Sequence, residues 1–290
     1  FASWGFDAEI SSQNSMIGAA NAVIESVAKI VAMGGNYKNI RLSFQEYFEK
    51  LGNQPEKWGK PLASLLGAYD AQMNLELAAI GGKDSMSGSF QDINVPPTLI
   101  SFACANGEKK NIISPELKKA GNKLYFFQHV PQETGLPDYE NLKKVFGFIY
   151  ENIKLQKIVS VKTVKEGGVA VALAKMSFGN KLGADISVDE SFLLKKNIGS
   201  LIIESSSDLD CDVLEFIGDV KERASLVINE LDFRISDLLK VWKGTFEELF
   251  PTVESKKSVI EIDQELNSVN PKNITIFKHN LVKPKVFVPV

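Results

Sequence analysis

The chain has 290 residues, 44% of them hydrophobic and 24% charged, and a formal net charge of −3. That length fits two domains, and that composition fits a globular chain rather than a disordered one. The acidic balance leaves no electrostatic footprint for nucleic acid, no apolar run reaches transmembrane length, and the first residues do not read as a secretory leader, so neither nucleic acid nor a membrane is an expected partner.

Cys104 and Cys211 are the only cysteines. Both sit among apolar neighbours and read as buried free thiols in a reducing compartment. No CxxC or CxH spacing exists, which argues against structural zinc. His129 and His279 are the only histidines, and each reads as structural. A Ser-His-Asp site is therefore poorly supported.

Residues 1–14 read as irregular. Asn14 and Ser15 are candidate N-caps for a helix over about 15–33. Ile17, Ala20, Ile24, Val27 and Val31 recur at helical spacing and form its buried stripe, and Gly34-Gly35 ends it. Glu25 and Lys29, four residues apart, fit an ordinary ion pair on one helix face. A strand is expected at 39–44. A second helix runs from Pro61 to about Ala78, with Leu62, Leu65, Leu66, Tyr69 and Met73 as its apolar face.

Next comes Gly81-Gly82-Lys83-Asp84-Ser85-Met86-Ser87-Gly88. Paired glycines let a backbone approach a ligand closely, and Lys83 brings a point charge suited to phosphate. Asp84 can hold a cation or orient that lysine, and Ser85 and Ser87 add hydroxyls. A phosphate-and-metal loop and a solvated turn both fit these residues. The spacing is not that of a Walker A loop, because Asp follows the lysine.

Residues 98–105 are nearly all apolar, as in a strand covered on both faces. The polar run Asn106 to Lys110 marks a domain boundary. Beyond it, strands are expected at 123–127, 158–164, 183–188, 199–205, 212–217 and 224–229. Helices are expected at 139–154, roughly 169–178 and 236–250. The pattern is mixed α/β or α+β. Lys165-Glu166-Gly167-Gly168 lies at a strand-to-helix junction, where free N–H groups can bind an anion or the glycines can serve close packing. Residues 251–284 read as a linker, and 285–290 as a strand just beginning. The start at Phe1 and the stop in that strand are what an excerpt from a longer protein would give.

Three stretches taken together carry a resemblance. They are Gly81 to Ser87 followed by Pro96-Pro97-Thr98-Leu99, then Glu166-Gly167-Gly168-Val169-Ala170-Val171-Ala172-Leu173-Ala174-Lys175-Met176, then Leu182-Gly183-Ala184-Asp185. In order and spacing they resemble the second synthetase half of phosphoribosylformylglycinamidine synthase of purine biosynthesis. Val23 to Val27 and Lys57 to Leu62 fit as well, so the match covers nearly the whole chain. The GGKDSMS string is its most specific part.

The resemblance implies an α+β (mixed α/β) synthetase half of the aminoimidazole ribonucleotide synthetase superfamily. A smaller, barrel-forming N-terminal domain would span 1–107, incomplete at its start, and a larger α/β domain 108–250. Residues 251–290 would be a linker and the first strand toward an absent glutaminase domain. The family's reaction is a cytoplasmic carbon–nitrogen ligation. It uses ATP and Mg²⁺, and it turns formylglycinamide ribonucleotide and glutamine into formylglycinamidine ribonucleotide. The implied partners are the first synthetase half and the glutaminase domain of the same longer chain, together with the small-molecule substrates. On this reading the excerpt alone is inactive. The alternative is a structural or regulatory pseudo-subunit with a degenerate nucleotide site. A thiamine-phosphate kinase or selenophosphate synthetase is a third reading, although the N-terminal glycine-rich segments of those enzymes are absent here.

Carried over by position, Gly81, Gly82, Lys83, Asp84, Ser85 and Ser87 would line the substrate and ATP face. Glu25 matches a carboxylate that binds Mg²⁺ at an auxiliary nucleotide site in some members. Lys29, Thr163, Lys165, Gly167 and Gly168 occupy the other positions of that site. Lysine offers only donors and Mg²⁺ needs oxygen ligands, so Lys29 and Lys165 are expected to supply charge in place of the cation. The half is also expected to form a homodimer through its small-domain strands, using Ile40, Leu42, Leu99, Ile100 and Phe102.

Overall fold

A computed structural model describes residues 1–252. Residues 1–245 form one compact unit, and residues from 246 onward belong to a second. Of the second unit the structure describes only a short turn, in which Thr252 donates its backbone N–H to Glu247. The expected linker lies largely, and the strand at 285–290 and His279 wholly, outside the described residues.

The first layer is a four-stranded open sheet. Its strands are β1 (Ala2–Gly5), β2 (Arg41–Tyr47), β3 (Ala78–Ser85) and β6 (Thr98–Cys104), in the order β1-β6-β2-β3. Only the β2–β3 pair is parallel. A two-stranded hairpin, β4 (Ser89–Phe90) and β5 (Ile93–Asn94), follows β3. No closed barrel forms among the described residues. Residues 1–14 are structured, contrary to expectation. β1 exists only through its non-local register with β6, Trp4 opposite Phe102, and α1 (Ala8–Gln13) starts on the Asp7 carboxylate, which accepts the Ile10 N–H at 2.9 Å. Neither feature has a periodicity that a local reading would detect.

α2 (Ser15–Ala32) is the hub. Asn14 caps it, its side chain accepting from the N–H groups of Met16 and Ile17. A single buried stripe is expected, yet α2 is buried nearly all round, because sheet, helix and β8 (Ile158–Thr163) all close on it. It is long and apolar enough to cross a membrane by composition, but it is the core helix of this fold.

α3 (Pro55–Leu75) begins six residues earlier than expected, with Pro55 in its first turn and Pro61 inside it. Its orientation is the main surprise. The buried face is Pro61, Ser64, Gly67, Ala68, Ala71 and Leu75, whereas Leu62, Leu65, Leu66, Tyr69 and Met73 are exposed. Small residues let α3 approach α2 closely, and a Cβ on Gly67 would collide with the Met16 carbonyl. The large side chains cannot fit that contact and point away from it.

The second layer is a seven-stranded sheet in the order β13-β12-β9-β11-β7-β10-β8. Its remaining strands are β7 (Lys123–Phe127), β9 (Gly183–Ile186), β10 (Leu201–Ser205), β11 (Leu214–Lys221), β12 (Ser225–Ile228) and β13 (Leu231–Arg234). All pairs are antiparallel except β12–β9. α4 (Tyr139–Lys154) buries Leu142, Val145, Phe146 and Ile149, as its 3.6-residue pattern predicts. α5 (Gly168–Asn180), the short α6 (Glu190–Leu193) and α7 (Ile235–Gly244) complete the order. The sequence reading misses β13, and the expected helix to 250 ends at 244. One hydrophobic cluster joins α2, the first sheet, α4 and β10, and a second lies between α5 and the far strands.

Two buried polar groups lock the larger sheet. Glu204 on β10 is fully buried and accepts from the backbone N–H of Lys118 at 2.8 Å, from that of Lys119 at 3.2 Å and from Asn122 Nδ2 at 2.6 Å. His129 is structural, as expected. Its Nε2 accepts the Asp138 N–H at 3.1 Å, so Nδ1 carries the proton it donates to the Ile198 carbonyl at 2.8 Å. The cysteines depart from expectation. Cys104 is exposed on the outer face of β6 and Cys211 half-exposed. Alternation along β6 turns Leu99, Ser101 and Ala103 inward and Cys104 out.

Candidate functional site

The GGKDS part of the motif is a strand, not a free loop. It forms most of β3, at the sheet edge, with Gln45 opposite Lys83, Glu46 opposite Asp84 and Tyr47 opposite Ser85. A register shift between Leu42 and Phe44 explains the glycines. Gly81 has φ +152°, which L side chains rarely adopt, and a Cβ on Gly82 would stand 2.5 Å from the Phe44 carbonyl oxygen. The bulge lets an edge strand carry side chains at irregular positions.

Pairing splits the motif between two faces. Lys83 points outward with Nζ 5.9 Å from the Tyr47 ring centre. Together with Gly81 and Gly82 it borders an open depression of about 550 Å³, shared with Ser43, Gln45, Ile80 and Phe102. Asp84 lies instead beside Glu46, which is buried. Burial, reinforced by a hydrogen bond to Asp84 and that residue's charge, pushes the Glu46 carboxyl up to about 8. At neutral pH Glu46 therefore holds a proton it can donate to Asp84. Ser85 and Ser87 bond to each other, Oγ to Oγ at 3.3 Å. Glu46 lies outside the motif, and a sequence reading could find it only after fixing the β2–β3 register.

The second set assembles at the opposite edge of the same sheet, around β1. Glu25 is 2% exposed. Its Oε1 lies 2.6 Å from Lys29 Nζ and 2.6 Å from Lys165 Nζ, and Oε2 accepts the Phe6 N–H at 3.1 Å. The two lysine contacts are ion pairs by distance, off the angles of a hydrogen bond. Lys29 also donates to the Trp4 carbonyl at 2.7 Å and lies over the Trp4 ring, 4.4 Å from its centre. Thr163 borders the adjoining hollow of about 370 Å³, with Trp4, Lys29 and Lys162. Lys162, unforeseen from sequence, has no carboxylate partner among the described residues. Desolvation, then the charges of Lys175, Lys29 and Lys165, hold its ammonium below the usual lysine range. Gly167 and Gly168 form the N-terminus of α5. Gly168 has φ +62°, and a Cβ there would stand 2.5 Å from the Leu193 carbonyl, so close packing already requires it.

Mg²⁺ does not fit these residues. Both ammonium groups crowd the Glu25 oxygen that would ligate it, and lysine has no lone pair to offer as an ammonium. No group of three His, Cys, Asp or Glu side chains suited to a metal exists among the described residues. The two sets stand at opposite edges of one sheet, separated by β6 and β2. At roughly 4.8 Å per strand that is about 14 Å, so they are two places and not one site.

No family model matches the chain. It is 24% identical over 282 aligned residues to the phosphoribosylformylglycinamidine synthase subunit PurL of Methanocaldococcus jannaschii, covering 82% of this chain and 37% of that protein. It thus spans little more than a third of the length of that curated relative. In structure it is similar to Thermotoga maritima PurL complexed with FGAR, with a TM-score of 0.66 at 12% identity, over 82% of this chain and 45% of that one. It is also similar to thiamine-monophosphate kinase from Stenotrophomonas maltophilia, with a TM-score of 0.56 at 10% identity, over 79% and 84% of the two chains. The chain therefore resembles the phosphoribosylformylglycinamidine synthase subunit PurL in sequence and has the fold that PurL shares with the aminoimidazole ribonucleotide synthetase-like proteins.

Proposed function

We propose that this chain is the second synthetase half of an ATP-dependent carbon–nitrogen ligase of purine biosynthesis, which makes formylglycinamidine ribonucleotide from formylglycinamide ribonucleotide, glutamine and ATP. One observation carries the reading: a PurL sequence match that runs along most of the chain coincides with the fold of a PurL captured with FGAR. We place the smaller domain at 1–107 and the larger at 108–250, in a cytoplasmic enzyme. The outer depression beside Gly81, Gly82 and Lys83 is the face offered to substrate and ATP. Its glycines keep side chains out of the way, and Lys83 supplies a cation for phosphate. The exposed Phe102, its neighbour Ile100 and Ile80 form the surface toward the first synthetase half, and the glutaminase domain supplies ammonia.

A second reading has its own observation. The double ion pair on Glu25 suits a pseudo-subunit whose auxiliary nucleotide site works without metal, the lysines standing where a cation would. The two readings are compatible. Reconstitution tests the first: the remaining segments of the longer enzyme should yield formylglycinamidine ribonucleotide only when this chain is added. No turnover from a mixture in which every segment is folded would overturn it.

A further inference from the structure

α3 has two apolar faces, and among the described residues the fold uses only one. The small residues Ser64, Gly67, Ala68 and Ala71 meet α2. On the other side Trp58, Leu62, Leu65, Leu66, Tyr69 and Met73 are each 48% to 59% exposed. At 100° per residue these six fall within an arc of about 100°, a continuous stripe along a helix of roughly 30 Å. Together they leave on the order of 700 Å² open, given side chains that each present up to about 250 Å². Monomers rarely expose so much contiguous apolar surface, and about 800 Å² per partner makes a standard interface.

The spacing identifies the occupant. From Trp58 the stripe advances by 4, 3, 1, 3 and 4 residues to Met73, and it reads the same from either end. Its centre is the Leu65–Leu66 bond. A surface that matches itself when reversed is what an isologous two-fold contact requires. We propose that α3 is the contact of a homodimer, antiparallel to α3 of a second copy. Trp58 then faces Met73 of that copy, Leu62 faces Tyr69 and Leu65 faces Leu66. The alternating four- and three-residue steps of Trp58, Leu62, Leu65 and Tyr69 suit knobs-into-holes packing.

Three charged neighbours of the stripe are already paired. Asp70, at its edge, accepts from the Tyr139 hydroxyl at 2.8 Å. Lys57 and Lys60, at the N-terminal end, both pair with Glu49. Closing the contact therefore strands none of these charges. The surface lies on a helix, apart from the outer sheet face assigned above to the first synthetase half, and the two are separable by mutation.

Sedimentation of the 290-residue chain at roughly 50 µM should give a dimer, since micromolar dissociation constants are common for such areas. The double substitution Leu65→Glu, Leu66→Glu should give a monomer with an unchanged circular dichroism spectrum, because both side chains are outside the core. Ile100→Glu should stay dimeric. With Cys104→Ser and Cys211→Ser, Leu62→Cys combined with Tyr69→Cys should form a covalent dimer on oxidation, whereas Leu62→Cys alone should not. Positions 62 and 69 are about 10 Å apart on one helix, too far for an internal disulfide. A monomeric parent chain, a dimer that survives the double Glu substitution, or cross-linking by Leu62→Cys alone would overturn the proposal.

Discussion

Lys165 Nζ, from the loop between β8 and α5, sits 2.6 Å from Oε1 of Glu25 on α2, and Lys29 reaches the same oxygen at the same distance. A buried carboxylate must be neutralised, and here two lysines do so. Glu25 is consequently not available to a divalent cation. Adding Mg²⁺ should leave the thermal midpoint and any ADP affinity of this chain unchanged, as read by differential scanning fluorimetry and calorimetry. Lys165→Met should destabilise by about 1 kcal/mol, because Glu25 then keeps only one partner in a site where complete loss costs about 3–5 kcal/mol. A tenfold gain in ADP affinity with Mg²⁺ would show that the lysines yield to the metal.

Glu46 sets a pH dependence of opposite sense to that of ordinary carboxylates. Its folded value, about 8, lies above its unfolded value near 4.5. The folded state therefore binds more protons than the unfolded state across that window, and stability falls as pH rises. The contribution is fully present below pH 4.5 and is lost on passing 8. Glu46→Gln keeps an N–H that can donate to Asp84 and removes the ionisation. It should flatten the decline in thermal midpoint between pH 5 and 8, raising the midpoint at pH 8 by about 5 °C. Parallel curves for the two proteins would show that Glu46 ionises freely.

Much of this fold is legible in the sequence, and the misses share a cause. α4 and β7 match their expected bounds because a 3.6-residue stripe and a compact apolar run are local signals. β1 and the strand form of Gly81 to Ser85 depend on partners far along the chain, β6 and β2, and no window of residues contains them. α3 fails differently. Its periodicity is real, but size decides which face goes inward, and the contact with α2 admits only small side chains. Ile40, Leu42 and Leu99, expected on an open barrel face, are sealed in this chain's own core, while Ile100 and Phe102 do face out. At the site, the Glu25–Lys29 pair follows from four-residue spacing. Its third member Lys165, and the Glu46–Asp84 pair, require the tertiary register.

Two substitutions separate the structural part of GGKDS from the part proposed above to meet a ligand. Gly82→Ala places a Cβ against the Phe44 carbonyl, which is backbone and cannot rotate aside. It should cost about 1–3 kcal/mol in denaturant unfolding. Lys83→Ala removes an exposed side chain whose only aromatic contact among the described residues is the distant Tyr47 ring. It should leave stability within about 0.5 kcal/mol of the parent. In a reconstituted ligase it should lower kcat/KM at least tenfold, because it removes the charge proposed above to meet phosphate. Unchanged kinetics for Lys83→Ala would return the motif to a purely architectural role.

The depression beside Lys83 is bounded on one side only, by an open sheet whose outer residues Phe102 and Ile80 face water. Phosphate activation of an amide needs a site from which bulk water is excluded, since water competes for the activated intermediate. Nothing among the described residues covers this face, and the chain spans 37% of the M. jannaschii protein it resembles. Supplied with ATP, ammonia and formylglycinamide ribonucleotide, the 290-residue chain should form no formylglycinamidine ribonucleotide. Adding a first synthetase half in trans should restore turnover, and Phe102→Glu should abolish that rescue without lowering the chain's own thermal midpoint. Product made by the chain alone would mean that its exposed face is sufficient, and would remove the need for a partner half.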